Sequence, residues 1–166
     1  MFKITEKNAL NWYEKVIKDF PQARFQCQNV EIKPIVMSDG TRLNTRIFRP
    51  NKSEPYDVLF TRNPYPANET LYEALYIPFV EQGYCVVIQD CRGTGNSEGN
   101  WEPFKNERND GIQSLKWLNR QNWISQIATF GRSYSAYTQW IVGDELPEKV
   151  KTMFLEVYGV NRYDQV

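Results

Sequence analysis

Apolar and polar residues follow two different rhythms along the chain. Over residues 6–20 the apolar side chains recur at spacings of three and four, which predicts a helix. Over residues 25–37 and 42–48 they largely alternate with polar ones, which predicts two strands. Asp39 and Gly40 stand between these strands, and an Asp-Gly dipeptide accepts the positive φ angles of a tight hairpin. The opening of the chain is therefore expected to be a helix followed by a β-hairpin.

After residue 55 short apolar runs alternate with amphipathic segments. These patterns predict strands at residues 56–61, 84–89, 127–131 and 150–157, and helices at residues 71–82, 107–119 and 134–142. The strand at 84–89 is almost entirely apolar, as in a sheet that is buried on both faces. Pro78 is expected to kink or split the helix that contains it. The alternation predicts an α/β fold with a mostly parallel sheet that is flanked by helices.

Length and charge narrow the classes of function. The 166 residues fit one compact core, and 20 basic residues balance 20 acidic ones for a formal net charge of zero. No basic cluster offers a surface for nucleic acid, and no apolar run approaches the roughly 18 residues that a membrane span needs. The first residues lack the apolar core of a signal peptide. We therefore expect a cytoplasmic protein that binds neither nucleic acid nor a membrane.

The sequence contains no histidine. Imidazole is the usual general base at neutral pH, so these residues alone cannot form a Ser-His or a Cys-His pair. A zinc site built on histidine is excluded as well. Cys27, Cys85 and Cys91 form no C-x-x-C motif, and their odd number favours reduced thiols over a disulfide framework. Cys85 lies inside an apolar run and is expected to be a core residue.

The sequence Gly131-Arg132-Ser133-Tyr134-Ser135 lies between a predicted strand and a predicted helix. It nearly fits the G-x-S-x-G motif, in which a nucleophilic serine occupies a strained strand-to-helix turn and needs small neighbours. Ser135 replaces the second glycine and adds a Cβ atom and a hydroxyl. Ser133 is therefore a candidate nucleophile, and the helix that starts at Tyr134 would direct its amide groups toward a developing oxyanion. The alternative is that Ser133 only caps this helix.

Two other patterns suggest different chemistry. Gly93, Gly95 and Gly99 follow an apolar strand, but the dinucleotide fingerprint needs its third glycine one position earlier. We expect these glycines to shape a tight loop that an ion pair between Asp90 and Arg92 holds.

Five aromatic residues could form a stacking platform for single-stranded nucleic acid, but no basic residues are interleaved with them, which favours core and interface positions. They are Trp101, Phe104, Trp117, Trp123 and Trp140.

Four longer segments carry a family resemblance when they are taken in order. Val-Met-Ser-Asp-Gly-Thr-Arg-Leu at 36–43 is followed by Arg-Asn-Pro-Tyr at 62–65, by Gln-Asp-Cys-Arg-Gly-Thr-Gly-Asn-Ser-Glu-Gly at 89–99 and by Gly-Arg-Ser-Tyr at 131–134. Asp110, Gly111, Trp117, Gln121 and Trp123 stand between the last two segments. Together these residues resemble the cocaine-esterase and X-prolyl dipeptidyl-peptidase family of serine hydrolases. The resemblance covers roughly residues 30–160, which is most of the chain.

The resemblance implies an α/β-hydrolase fold and covalent acyl transfer through Ser133. Tyr65 matches the tyrosine whose hydroxyl helps to form the oxyanion hole in that family, and the backbone N–H of Tyr134 would be the second donor. The implied partner is a small-molecule ester, an amide or a short peptide, and no cofactor or metal is implied. Residues 25–166 would then be the N-terminal part of an α/β-hydrolase catalytic domain, preceded by a helical segment at residues 1–24.

The sequence departs from the family because it lacks a base. In α/β-hydrolases the nucleophile is followed along the chain by an acid and then by a histidine, and no histidine follows Ser133. We therefore expect the N-terminal part of a longer hydrolase, inactive alone and with an exposed sheet edge. Its partner would be the missing C-terminal part or a second copy of the chain. The alternative is a short non-catalytic α/β protein, either a degenerate product or an interaction partner.

Overall fold

The computed structural model describes Lys15 and residues 18–28, 30–65 and 69–158, with the backbone alone for residues 69–74. The helix predicted over residues 6–20, and with it most of the segment 1–24, lies largely outside these residues. In chain order the described elements are β1 (Glu31–Ile32), β2 (Ile35–Val36), β3 (Arg42–Leu43), β4 (Thr45–Phe48), β5 (Tyr56–Asn63), α1 (Glu69–Glu81), β6 (Cys85–Asp90), α2 (Glu107–Asn119), β7 (Ile124–Arg132), α3 (Tyr134–Trp140) and β8 (Val150–Glu156).

Six of these strands form one sheet in the order β1-β4-β6-β5-β7-β8. The pairs β1/β4 and β4/β6 are antiparallel, whereas β6, β5, β7 and β8 all run parallel. The predicted α/β fold with a mostly parallel sheet is therefore confirmed. Because parallel strands end at the same edge of a sheet, the loops that follow β5, β6 and β7 lie side by side at that edge.

Helices cover the sheet on both faces. Val86 and Ile88 of β6 point to the face of α1 and pack with its partly buried apolar side chains. Val87 points to the opposite face and packs with Leu115 and Leu118 of α2, as the predicted apolar face of that helix requires. All six residues of β6 are buried. This confirms the prediction of a strand that is covered on both sides.

The strand predicted over residues 25–37 is wrong in its extent, because two separate two-residue strands lie there. β1 joins the large sheet, whereas β2 pairs with β3 in the predicted hairpin, whose turn holds Gly40 at a φ of 85°. Pro34 lies between β1 and β2 and has no N–H for a sheet hydrogen bond. Asn44 likewise interrupts the strand predicted over residues 42–48, because its N–H donates to the Ser97 hydroxyl.

The helix α1 contains Pro78 and runs through it. The predicted split is wrong, because the helix continues to Glu81 although Pro78 has no N–H for the hydrogen bond to the preceding turn. Val80 follows it and is fully buried against the sheet, which holds this end of the helix in place. Within the described part of the chain, no helix is both long and apolar enough to cross a membrane.

Ion pairs to neighbouring elements hold the loop after β6, and the predicted Asp90–Arg92 pair is wrong. The Asp90 carboxylate accepts hydrogen bonds from the Arg46 guanidinium at 3.0 Å and from the Asn44 amide at 2.8 Å. The Arg92 guanidinium donates twice to the Asp110 carboxylate of α2, at 2.7 and 3.0 Å. The charged partner of each side chain therefore lies on a neighbouring element rather than on the loop itself.

In the described residues β8 forms one edge of the sheet. It pairs there with β7 on one side, and its other side carries backbone groups that no described strand covers. The side chain of Phe154 in β8 is 65% exposed. The exposed edge that the sequence predicts is thus present in the part of the chain that the structure describes.

Candidate active site

Ser133 occupies a strained turn between β7 and α3. Its φ and ψ angles are 55° and −121°, a conformation that residues with a side chain rarely adopt and that costs about 1–3 kcal/mol. The surrounding backbone holds this conformation. The Ser133 N–H donates to the carbonyl of Glu156 at 2.9 Å, and the Ser133 carbonyl accepts from the N–H groups of Ala136 and Tyr137 at 3.0 and 3.1 Å.

The side chain of Ser133 does not cap α3. No hydrogen bond joins its hydroxyl to the first amides of the helix, and Ser133 is exposed to solvent. The capping alternative is therefore wrong. An exposed hydroxyl on a strained strand-to-helix turn is the geometry of a nucleophile elbow.

Close backbone contact at this turn explains the glycine at position 131. A Cβ atom at Gly131 would lie 2.5 Å from the carbonyl oxygen of Ser135, closer than two such atoms can approach. Ser135 itself is buried, and its own Cβ atom packs over the bare Cα atom of Gly131. A small side chain is thus tolerated at position 135 because position 131 has none.

Tyr65 and Tyr134 converge beside Ser133. The backbone N–H of Tyr134 donates to the hydroxyl oxygen of Tyr65 across 3.2 Å. Tyr65 follows β5, and β5 pairs directly with β7, so the shared edge of the sheet brings the two residues together. The structure therefore places all three predicted site residues at one point.

Asn63 positions Tyr65 and was missed by the sequence analysis. Its side-chain amide donates to the Tyr65 carbonyl at 3.1 Å, and its side-chain oxygen accepts from the Tyr65 N–H at 3.2 Å. An asparagine that bonds the backbone two residues further on is a common turn device. The Asn-Pro-Tyr sequence was the signal that could have revealed this role.

Ser133 opens on two clefts. The first has a volume of about 450 Å³ and includes Phe130, Arg132, Phe154 and Glu156 in its lining. The Arg132 guanidinium and the Glu156 carboxylate pair there across 3.2 Å. This cleft therefore combines apolar side chains with one ion pair.

The second cleft is lined by aromatic side chains and has a volume of about 420 Å³. Its aromatic residues are Tyr65, Trp101, Phe104, Tyr134, Tyr137 and Tyr158. Trp117 and Trp123 pack against the core as predicted. Trp101 and Phe104 do not, because the loop after β6 carries them to the side of Tyr134, with ring centroids 5.2 and 4.9 Å away.

The buried thiols of Cys85 and Cys91 are poor candidates for a nucleophile. Burial raises the pKa of Cys85 to about 12 and that of Cys91 to about 11, so neither forms a thiolate near neutral pH. Cys85 is fully buried in the core, which confirms its prediction as a core residue. The chemistry that the site can offer is therefore one exposed hydroxyl beside two hydrogen-bond donors.

The strand order and the serine turn define the class of this protein as an α/β-hydrolase-type fold. Residues 39–166 match the sequence model of the X-Pro dipeptidyl-peptidase (S15) family. The match covers well over half of the chain, and the chain belongs to this hydrolase family.

Individual relatives agree with this assignment. The chain is 37% identical over 111 residues to the cocaine esterase of Rhodococcus sp. (strain MB1 Bresler), which covers 64% of this chain and 19% of that protein. It is similar to the crystal structure of a CocE/NonD family hydrolase from Staphylococcus aureus, at 28% identity and a TM-score of 0.63, over 76% of this chain and 27% of that one.

A third relative shows likeness of fold alone. It is the crystal structure of an aminopeptidase from the marine sediment archaeon Thaumarchaeota archaeon, at 24% identity and a TM-score of 0.65, over 82% of this chain and 26% of that one. The chain thus spans about a fifth of the length of the curated relative and about a quarter of the length of these two structures.

Proposed function

We propose that this chain carries the nucleophile of a serine hydrolase that cleaves ester or amide bonds through an acyl-enzyme on Ser133. The observation that carries the proposal is the 3.2 Å contact between the Tyr134 N–H and the Tyr65 hydroxyl beside the strained, exposed Ser133. Two donors that converge next to a nucleophile are what a tetrahedral oxyanion needs. The membership in the S15 family supports the same reaction class.

In the proposed reaction the Ser133 oxygen attacks the substrate carbonyl carbon while its proton passes to a base. The carbonyl oxygen becomes negatively charged and accepts hydrogen bonds from the Tyr134 N–H and the Tyr65 hydroxyl. In the free protein the Tyr134 N–H donates to the Tyr65 hydroxyl oxygen. When the substrate binds, its carbonyl oxygen replaces the Tyr65 oxygen as the acceptor of this hydrogen bond. The leaving group then departs with a proton, and water releases the acyl group from Ser133.

We propose that the base and its acid come from residues outside this sequence, which contains no histidine. The curated relative is about five times as long as the aligned part, which leaves ample chain for both groups. A second copy of the same sequence would bring no histidine, so we favour the remainder of a longer hydrolase as the partner. The 166 residues alone are then expected to be inactive.

The proposed substrates are small esters, amides or short peptides, and the proposed location is the cytoplasm. Both clefts that open beside Ser133 are of small-molecule size, at about 450 and 420 Å³. Within the described residues Cys85 and Cys91 are free thiols, which fits a reducing compartment.

A fluorophosphonate probe tests this function, because only an activated serine reacts with it rapidly. In the native protein, assembled with its base, we expect the label on the peptide that contains Ser133. Ser133→Ala should abolish labelling, whereas Ser135→Ala, two residues away, should retain it. A protein that hydrolyses esters while its label lies elsewhere would contradict the proposal. A native protein that neither turns over substrate nor labels would favour the non-catalytic alternative.

A further inference from the structure

Phe104 holds a strained backbone conformation on the loop after β6. Its φ is 68°, in a region that residues with a side chain seldom adopt and that glycine adopts readily. Phe104 is 38% exposed and lines the second cleft, beside Ser133. Such strain persists only where the surrounding structure holds it, and it concentrates at functional sites. The contacts that hold Phe104 therefore show what this conformation serves.

The hydroxyl of Tyr134 holds the Phe104 backbone in place. The Phe104 N–H donates to the Tyr134 phenol oxygen at 2.7 Å, although 30 residues separate the two. The Phe104 ring packs against the rings of Tyr134 and Tyr137, with centroids 4.9 and 5.0 Å away. Both tyrosines belong to α3, the helix that follows the nucleophile turn. This helix thus holds Phe104 by one hydrogen bond and two ring contacts.

Tyr134 therefore joins the reaction centre to the wall of the second cleft. Its backbone N–H faces the Tyr65 hydroxyl at 3.2 Å, beside Ser133. Its side chain holds Phe104 and packs against Trp101, whose ring centroid lies 5.2 Å away. Loss of the Tyr134 hydroxyl would thus act first on the aromatic residues of the loop after β6.

The lining of the second cleft determines which group it can bind. Its described residues are one proline, one serine and six aromatic residues, and none of these carries a charged side chain. The first cleft differs, because the Arg132–Glu156 ion pair lies in its lining. Aromatic walls favour an uncharged apolar group, since binding removes apolar surface from water. The two clefts beside Ser133 thus offer two different environments.

We propose that Tyr134 determines specificity, because its hydroxyl positions Phe104 so that the second cleft binds an uncharged apolar group of the substrate. The inference rests on the proposed function, since this cleft opens on Ser133. Without the hydroxyl, the Phe104 N–H would lose its acceptor, and the strained backbone would relax and move the ring. The cleft would then bind a large apolar group less well and a small group equally well.

Ester kinetics of the native enzyme, assembled with its base, test this role. Ethyl acetate has only small groups, whereas ethyl benzoate carries a phenyl ring on its acyl side and phenyl acetate carries one on its leaving side. Tyr134→Phe keeps the ring and removes the hydroxyl. The KM of the aromatic ester whose ring occupies the cleft should rise about 2- to 10-fold, as for one lost neutral hydrogen bond. The KM of ethyl acetate and the kcat values should change little.

Phe104→Gly tests the same contact from the other side. Glycine accepts the positive φ and removes the ring, so the KM of the same aromatic ester should rise roughly 10-fold. Adding Tyr134→Phe to Phe104→Gly should raise this KM no further, because the hydroxyl acts on the cleft through the Phe104 ring. In Tyr134→Phe alone, the Phe104 amide hydrogen should exchange with solvent faster than in the parent.

Tyr84→Phe and Glu102→Ala are the matched controls. Tyr84→Phe removes an exposed hydroxyl just before β6, and Glu102→Ala changes an exposed side chain on the loop of Phe104. Both should keep the parent KM for all three esters. Unchanged KM for both aromatic esters in Tyr134→Phe would overturn the inference. A fall in kcat for all three esters at constant KM would overturn it too, because the hydroxyl would then serve the oxyanion hole alone.

Binding to a Ser133→Ala enzyme separates the failure of this inference from the failure of the proposed function. The amide resonance of Phe104 reports the dissociation constants of ethyl benzoate and phenyl acetate without turnover. The inference expects Tyr134→Phe to weaken the binding of one of them in this background, and equal binding would overturn it while leaving the proposed function intact. Weakened binding, with no turnover that depends on Ser133 in the parent, would support the cleft assignment and contradict the proposed function.

Discussion

At the scale of single residues, the candidate site depends on backbone geometry that most residues cannot supply. Ser133 holds a positive φ of 55°, and Gly131 accepts a backbone approach that leaves no room for a Cβ atom. The strain at Ser133 keeps its hydroxyl exposed and free of helix capping. The same turn directs the N–H of Tyr134 toward Tyr65.

Removal of the Tyr65 hydroxyl tests the oxyanion hole. In the native enzyme Tyr65→Phe should lower kcat by about 100- to 1,000-fold, equivalent to about 2.7–4 kcal/mol, because one of two donors is lost. Tyr84→Phe is the control, since Tyr84 is an exposed tyrosine just before β6, at the opposite end of the sheet. Equal turnover by Tyr65→Phe and the parent would contradict the assignment of Tyr65.

A methyl group at position 131 tests the packing of the turn. Gly131→Ala should lower the free energy of unfolding by about 1–3 kcal/mol or more, because its Cβ atom would meet the Ser135 carbonyl group. Gly143→Ala is the control, since its Cβ atom would approach no atom closer than 3.3 Å. Urea unfolding of the two variants measures the difference, and similar values for both would show that the turn is not tightly packed.

At the scale of elements, long-range charge pairs join the hairpin, the loop after β6 and α2. The carboxylate of Asp110 is buried in α2 at 1% exposure and binds the Arg92 guanidinium. Arg92 also binds Asp39 of the β2–β3 hairpin at 2.7 Å. These pairs fix the loop that carries Trp101 and Phe104 to the second cleft.

Asp110→Ala tests how much this buried pair stabilises the fold. Removing one partner of a buried ion pair strands the other, so the free energy of unfolding should fall by roughly 3–5 kcal/mol. Asp39→Ala removes an exposed partner of the same arginine and should have a much smaller effect.

The Arg92 guanidinium holds the pKa of Asp39 at about 2, below its ordinary 3.8. Its contribution is therefore present above about pH 4 and is lost as the pH falls toward 2.

Urea unfolding at neutral pH measures both variants, and unfolding of Asp39→Ala beside the parent from about pH 4 to pH 2 follows the exposed pair. The difference between Asp39→Ala and the parent should shrink as the pH falls. Equal stabilities of Asp110→Ala and Asp39→Ala would contradict the account of the buried pair.

Elements with a strong local pattern could be predicted from the sequence. Burial in the fold requires a local pattern within each of these segments, which is an apolar face at helical spacing in α2 and a continuous apolar run in β6. The pairing of Asp90 with Arg46 could not, because 44 residues separate them and only the antiparallel β4–β6 pair brings them together. Pro34 indicated an edge position in the sequence. The division of this segment into two strands that join two different sheets could not be predicted, because it depends on tertiary pairing.

The residues of the candidate site also differ in how far they could be predicted from the sequence. Ser133 was visible in a motif because a nucleophile elbow is a local turn with local steric demands. Tyr65 came from the family resemblance, since its contact with Tyr134 spans 69 residues and no local pattern encodes it.

At the scale of the whole molecule, the described residues form a sheet that is buried on both faces at β6 and has an exposed edge at β8. The cysteine side chains differ in how deeply they are buried in this arrangement. Cys85 and Cys91 are buried, with pKa values raised to about 12 and about 11, whereas Cys27 is partly exposed.

A thiol reagent at pH 8 tests the closure of the core. The native protein should show one rapidly reacting thiol among these three, and all three should react in denaturant, because raised pKa values and burial suppress the reactive thiolate. Cys27→Ser should remove the rapid phase. Rapid reaction of Cys85 or Cys91 in the native protein would contradict the burial of the core.

The most direct test of the central claim is the structure of the native protein after reaction with a fluorophosphonate. We expect a phosphorus atom bonded to the Ser133 oxygen, with one phosphoryl oxygen within hydrogen-bond distance of both the Tyr134 N–H and the Tyr65 hydroxyl. An adduct on another residue, or a phosphoryl oxygen on Ser133 that points away from both donors, would contradict it.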